Sequence, residues 1–139
     1  MGNKKKNKEV ISDIYFPMFG GHSVTIVVSL DMATSNDKRS KILGHATGLG
    51  SYSGLFSTDG SHNSFIFLMP TADADIIAHE CFHAICHIKR QIGTKLSDKS
   101  EESFAYPLGY LVGLTTDVVK QSKKHFKTKK SDTNTKSRK

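Results

Sequence analysis

Between Ser23 and Met32 the residues Val24, Ile26, Val28 and Leu30 alternate with Thr25, Val27 and Ser29. A β-branched run with this partial period of two predicts a strand. Ser64 to Met69, Ser-Phe-Ile-Phe-Leu-Met, is a short apolar run closed by Pro70 and predicts a second firm strand. Val10 to Phe19 mixes apolar residues with Pro17 and ends at Gly20-Gly21, which reads as a short strand or an irregular lead-in. Ala33 to Arg39 reads as a polar turn. Lys41 to Ser64, with its glycines and scattered Ser, Asp and Asn, reads as weak strands and loops.

The pattern changes at Ala72. No Gly or Pro interrupts the chain from there to Gln91. Thr71 can cap the first turn, Asp73 and Asp75 place negative charge where the helix dipole favours it, Lys89 and Arg90 sit near the other end, and Gly93 can close the helix. A second helix is predicted after Ser97, where Asp98 and Glu101 make a capping-box-like pair. Phe104, Leu108, Leu111, Val112, Thr115 and Val119 then form an apolar stripe at helical spacing. Pro107 removes the bond to the Ser103 carbonyl and is expected to kink or interrupt this helix. These elements predict an α+β fold, with a small, mainly antiparallel sheet packed on two helices.

Composition separates the ends from the middle. Residues Met1 to Lys8 hold four lysines, and Lys120 to Lys139 hold eight Lys, one Arg and one Asp without an aliphatic residue. Such segments bury too little apolar surface to offset their ordering entropy. The expected organisation is therefore a basic flexible leader over 1–9, a single domain over 10–121 and a disordered basic tail over 122–139. Much of the formal +7 charge falls on these ends. There it would give weak, non-specific attraction to nucleic acid, since interleaved aromatics or a reading helix are missing.

No apolar run approaches the roughly 20 residues that span a bilayer, and the start lacks the apolar core of a signal peptide. The expectation is a cytoplasmic protein without membrane contact. Met1-Gly2-Asn3 hints at myristoylation, but Lys6 stands where that motif takes Ser or Thr. Cys81 and Cys86 lie five apart on one predicted helix and point to different faces, so no disulfide is expected.

The chemistry concentrates in His79-Glu80-Cys81-Phe82-His83. Imidazoles at i and i+4 stand one above the other on a helix face, so both can reach one zinc ion. Glu80 points roughly 100° around the helix from His79, close enough to bond a water on the metal without being a ligand. Zinc makes such a water acidic, and the carboxylate can take its proton as a general base. A catalytic site needs a third protein ligand. His87 continues the series but lies roughly 9 Å down the axis from an ion between His79 and His83, which suits a rim position better than a ligand. Glu101 and Glu102 lie eighteen and nineteen residues beyond His83. If Glu101 closes the capping box with Asp98, Glu102 is free to ligate, and Ala105, Tyr106, Gly109 and Gly113 share its helix face, where the small residues would admit close approach.

His79-Glu80-Cys81-Phe82-His83 followed by Glu101-Glu102-Ser103-Phe104-Ala105-Tyr106 resembles the gluzincin branch of zinc metallopeptidases, and in particular short HExxH proteins encoded by bacteriophages. The resemblance covers about Phe65 to Val119. It implies a small zincin-like domain and a zinc-dependent hydrolase acting on a peptide or protein substrate. It also implies that a glutamate on the following helix completes the site, and that the strand before the metal helix, Phe65 to Met69, pairs with the substrate backbone. A phage origin would place the protein in the host cytoplasm.

Departures from that pattern leave rivals open. Tyr106 and Tyr110 are the nearby phenols that could stabilise an oxyanion, though packing or exposure is the expected role of both. His22, His45, His62 and His125 lack metal-ligand spacing and read as ordinary surface histidines. One rival is a DNA-associated protease resembling the SprT-like group, favoured by the basic ends and His87. Another is a non-enzymatic zinc-stabilised protein, a phage virion or host-interaction factor.

Overall fold

A computed structural model describes residues 7–44, 52–60 and 62–135. Strand β1 (Glu9–Phe16) leads through the 3-10 turn Pro17–Phe19 into β2 (His22–Ser29). Helix α1 (Met32–Leu43), β3 (Gly54–Thr58), β4 (Asn63–Leu68), α2 (Ala74–Gln91) and α3 (Glu101–Thr135) follow. The strands form one sheet in the order β1-β2-β4-β3. The α+β expectation holds, and two of the three strand pairings are antiparallel, but the sheet is mixed: β2 and β4 run parallel at its centre, and β1 and β3 flank them antiparallel. Parallel neighbours need a crossover connection, and the chain from Ser29 to Asn63, which contains α1 and β3, supplies it.

The core lies between the sheet and the α2–α3 pair. Val24, Ile26, Val28, Ile66 and Leu68 from the central strands meet Ile77, Cys81, Ala84, Ile85 and Ile88 from α2, and Phe104, Leu111, Val118 and Phe126 from α3. Lys89, buried near the end of α2, sets its ammonium 4.8 Å from the Phe19 ring centre and 5.3 Å from that of Phe104. Burial pushes that amine below the ordinary lysine range, and the two ring faces offset part of the cost.

Three local expectations are corrected. The polar stretch after Met32 is a helix and not a turn. Asp31 caps it, its side chain accepting from the Thr34 N–H at 2.8 Å, and that bond holds the Asp31 carboxyl below the usual range. Helix α2 is capped by Asp73, which accepts from the Ile76 N–H at 3.3 Å, and not by Thr71. Helix α3 runs through Pro107 without interruption. One missing backbone bond near its start weighs little against the apolar stripe that continues for several turns beyond.

The C-terminal boundary also moves. The expected disordered tail from 122 onward is helical to Thr135, with Ser122 and Phe126 buried against the domain. Phe126 extends the α3 stripe by seven residues beyond Val119, two turns along the same face. No helix among the described residues is long and apolar enough to cross a membrane.

Candidate metal centre

Helix α2 presents opposite faces to opposite needs. Ile77, Cys81, Ala84, Ile85 and Ile88 enter the core, whereas His79 and His83 stay exposed one turn apart. Their Nε2 atoms face each other at 3.0 Å, with ring centres 4.7 Å apart. Two nitrogens at 2.0–2.1 Å from a tetrahedral zinc stand roughly 3.3 Å apart. This pair therefore fits two positions of such an ion with little movement.

Glu80 is buried, 8% exposed, and its Oε2 accepts from the Phe56 N–H of β3 at 2.7 Å. The carboxylate is thus held between α2 and the outer edge of the sheet. Phe56 also fixes the imidazoles: its ring stacks on His83 at 6.4 Å and tilts against His87 at 5.7 Å. Burial, aided by the positive field of Arg90 and by His22, pushes the His87 imidazole below the ordinary histidine range. Cys81, inside the motif, is buried and its Sγ lies 3.6 Å from the Thr115 hydroxyl; burial pushes its thiol up to about 11. It is a packing residue and not a nucleophile.

A cleft of about 400 Å³ opens beside the pair, lined by Tyr52, Ser53, Gly54, Asp75, Ile76, His79 and Glu80. Gly54 is required there by space. A Cβ at that position would come 2.5 Å from Ile76 Cγ2 and 3.0 Å from Glu80 Cγ, so any side chain must push β3 off α2. Gly54→Val is expected to destabilise the fold by about 1–3 kcal/mol, the scale of overpacking. A thermal melt indistinguishable from wild type would show that β3 does not approach α2 this closely.

The sequence reading of the cleft needs revision in several places. Strand β4 has β2 on one side and β3 on the other, so its backbone is already paired along its length. The strand edge beside the metal helix belongs to β3. Tyr106 and Tyr110 are 77% and 54% exposed, and Tyr110 sets its ring edge-on to Phe16. The phenol that lines the cleft is Tyr52, placed by Ser35 at 3.0 Å and Asn36 at 3.2 Å from α1. Nothing local marks Tyr52, because the α1 residues that place it are polar and give no apolar period.

Glu101 and Glu102 are exposed in the first turn of α3. Because the helix begins at Glu101, the Asp98–Glu101 capping box does not form. Ser100 Oγ instead accepts from the Ser97 N–H at 2.9 Å. No cap then distinguishes Glu101 from Glu102. Thr115, which meets Cys81, lies thirteen residues beyond Glu102, about 20 Å of helix. Among the described residues no group of three or more His, Cys, Asp or Glu side chains is placed to hold a metal ion. Neither Glu102 nor His87 therefore joins His79 and His83 in such a group.

His22 is not a surface residue. It is 3% exposed and bonded on both ring nitrogens, while His62 beside it is exposed and His125 half-buried against Phe126. His45 lies outside the described residues. Comparisons of the chain with protein-family models, with curated proteins and with solved structures find no match.

Proposed function

We propose that this chain is a minimal zinc-dependent hydrolase, a small metallopeptidase in which His79 and His83 hold the metal and Glu80 is the general base. The observation that carries the reading is the His79–His83 nitrogen pair at 3.0 Å with the Glu80 carboxylate on the wall of the adjoining cleft. Zinc, when bound, supplies Lewis acidity that polarises a carbonyl and makes a water acidic at neutral pH. The protein's own part is positional. Phe56 stacks on the His83 ring, burial and the Phe56 N–H orient Glu80, and the cleft is bounded by Ser53 and Gly54 where β3 begins. Glu80 would take the proton of the attacking water at Oε1 while Oε2 keeps its bond to the backbone. The exposed Lys120, Lys123, Lys124 and Lys127 on α3 would add weak, salt-sensitive attraction to nucleic acid.

A second reading is favoured by the same Glu80 contact: the motif could act as a staple that ties β3 to α2 in a non-enzymatic, zinc-stabilised protein. Metal analysis of purified protein and hydrolysis of a disordered protein substrate, with and without a chelator, separate the two.

The expected result for His83→Ala is loss of the ion at this centre and of that ion's share of the thermal stabilisation that zinc gives the wild type, since binding stabilises only the folded state. An unchanged zinc stoichiometry in that variant would remove the site. Glu102 enters as the third ligand on the family resemblance alone. That assignment requires Glu102→Ala to weaken zinc binding at least about tenfold while Glu101→Ala does not. Wild-type affinity in both would take Glu102 out of the centre and leave its position to water.

A further inference from the structure

At the far end of α2, eight residues or about 12 Å beyond His83, a second imidazole pair repeats the geometry of the first. His22 Nε2 and His62 Nδ1 stand 3.1 Å apart, with ring centres at 4.7 Å and ring planes at 90°. The corresponding values for His79 and His83 are 3.0 Å, 4.7 Å and 78°. Gln91 Oε1 lies 2.8 Å from the same His22 nitrogen, and Gln91 Nε2 rests 3.0 Å from His87 Nε2.

Three donor atoms converge beside the buried His22 ring. Its Nδ1 meets the Phe19 carbonyl oxygen, which only accepts, so Nδ1 carries the hydrogen. In the neutral ring Nε2 is then a lone pair, faced by the Gln91 amide oxygen and by the His62 ring. With the amide reversed, its NH₂ and the His62 ring can share that one lone pair, so the metal-free site is held by hydrogen bonds alone. A metal ion would use all three at once: two imidazole nitrogens and an amide oxygen become ligands. The carbonyl on Nδ1–H is also the usual partner that orients a ligating histidine.

We propose that His22 Nε2, His62 Nδ1 and Gln91 Oε1 form a second, structural site for a divalent ion of the zinc class, separate from the His79–His83 centre. The donors come from the first residue of β2, the turn before β4 and the last residue of α2. An ion there would staple the sheet to the end of the metal helix.

The test counts Zn²⁺ bound per chain by equilibrium dialysis and elemental analysis on untagged full-length protein. Variants change the exposed His62, because replacing buried His22 could itself unfold the domain. Wild type is expected to bind two ions, His62→Ala and His83→Ala one each, and the double variant none. In the His83→Ala background zinc should still raise the melting temperature, and adding His62→Ala should abolish that rise. Gln91→Leu should weaken the second ion at least about tenfold. Wild type binding one ion that His83→Ala loses would overturn the second site and leave the first standing. One ion that His62→Ala loses and His83→Ala keeps would support the second site and remove the first. No bound zinc in any form overturns both.

Discussion

Glu80→Gln is expected to lower the proposed hydrolysis of a disordered protein substrate by at least about 10²-fold, while zinc content and the melting curve stay near wild type. The expectation follows from two separable jobs of one carboxylate. As a base it must take a proton, which an amide cannot do. As a tether it must accept the Phe56 N–H, at 2.7 Å from Oε2, and a glutamine carbonyl oxygen accepts that bond equally well. Glu80→Leu removes both functions. It leaves the half-buried Phe56 N–H on β3 unpaired and should cost about 1 kcal/mol of stability in addition to activity. The pair of variants therefore separates the enzyme from the staple. Full activity in Glu80→Gln would dismiss the base assignment, and a Gln variant as unstable as the Leu variant would show that the charge itself holds β3.

The parts of this molecule that were legible in sequence are those whose signal is local. Strands β2 and β4 are dense β-branched or aromatic runs. Helix α2 lacks Gly and Pro over its length, and its motif needs only i, i+4 spacing to present two imidazoles together. What failed depends on distant partners. Helix α1 has no apolar stripe because the residues it buries are Ser35 and Asn36, satisfied by the Tyr52 hydroxyl, 17 and 16 residues further along the chain. A helix that buries polar groups does not reveal itself by hydrophobic period. The parallel pairing of β2 with β4 is a property of chain routing. Neither strand's residues encode its direction relative to the other. His22 looked like a loop histidine because its partner Gln91 is 69 residues away. Glu102 shows the converse, since a family pattern can nominate a ligand by spacing while the packing register of two helices decides where its carboxylate stands.

Deleting Ser122 to Lys139 should destabilise the domain by roughly 3–5 kcal/mol, the reverse of what the composition of that segment suggests. Counting aliphatic residues there returns none and leads to a disordered tail, but the count passes over one aromatic. Phe126 is 8% exposed and belongs to the same buried cluster as Ile14, Val24 and Val119. Ser122, fully buried one turn before it, closes the face with its hydroxyl bonded to the Val119 carbonyl at 2.7 Å. Removing the segment exposes the core surface that Phe126 covers and ends α3 at its last aliphatic pair, Val118 and Val119. For a chain of this size that loss corresponds to a fall in melting temperature on the order of 10 °C. Phe126→Ala in the full-length protein should reproduce most of it, since the lysines around it are exposed and contribute little. If the truncated protein melts with wild type, α3 ends functionally at Val119 and Phe126 is not part of the core. If the truncation destabilises but Phe126→Ala does not, the stabilisation comes from continuity of the helix and not from the burial of that ring.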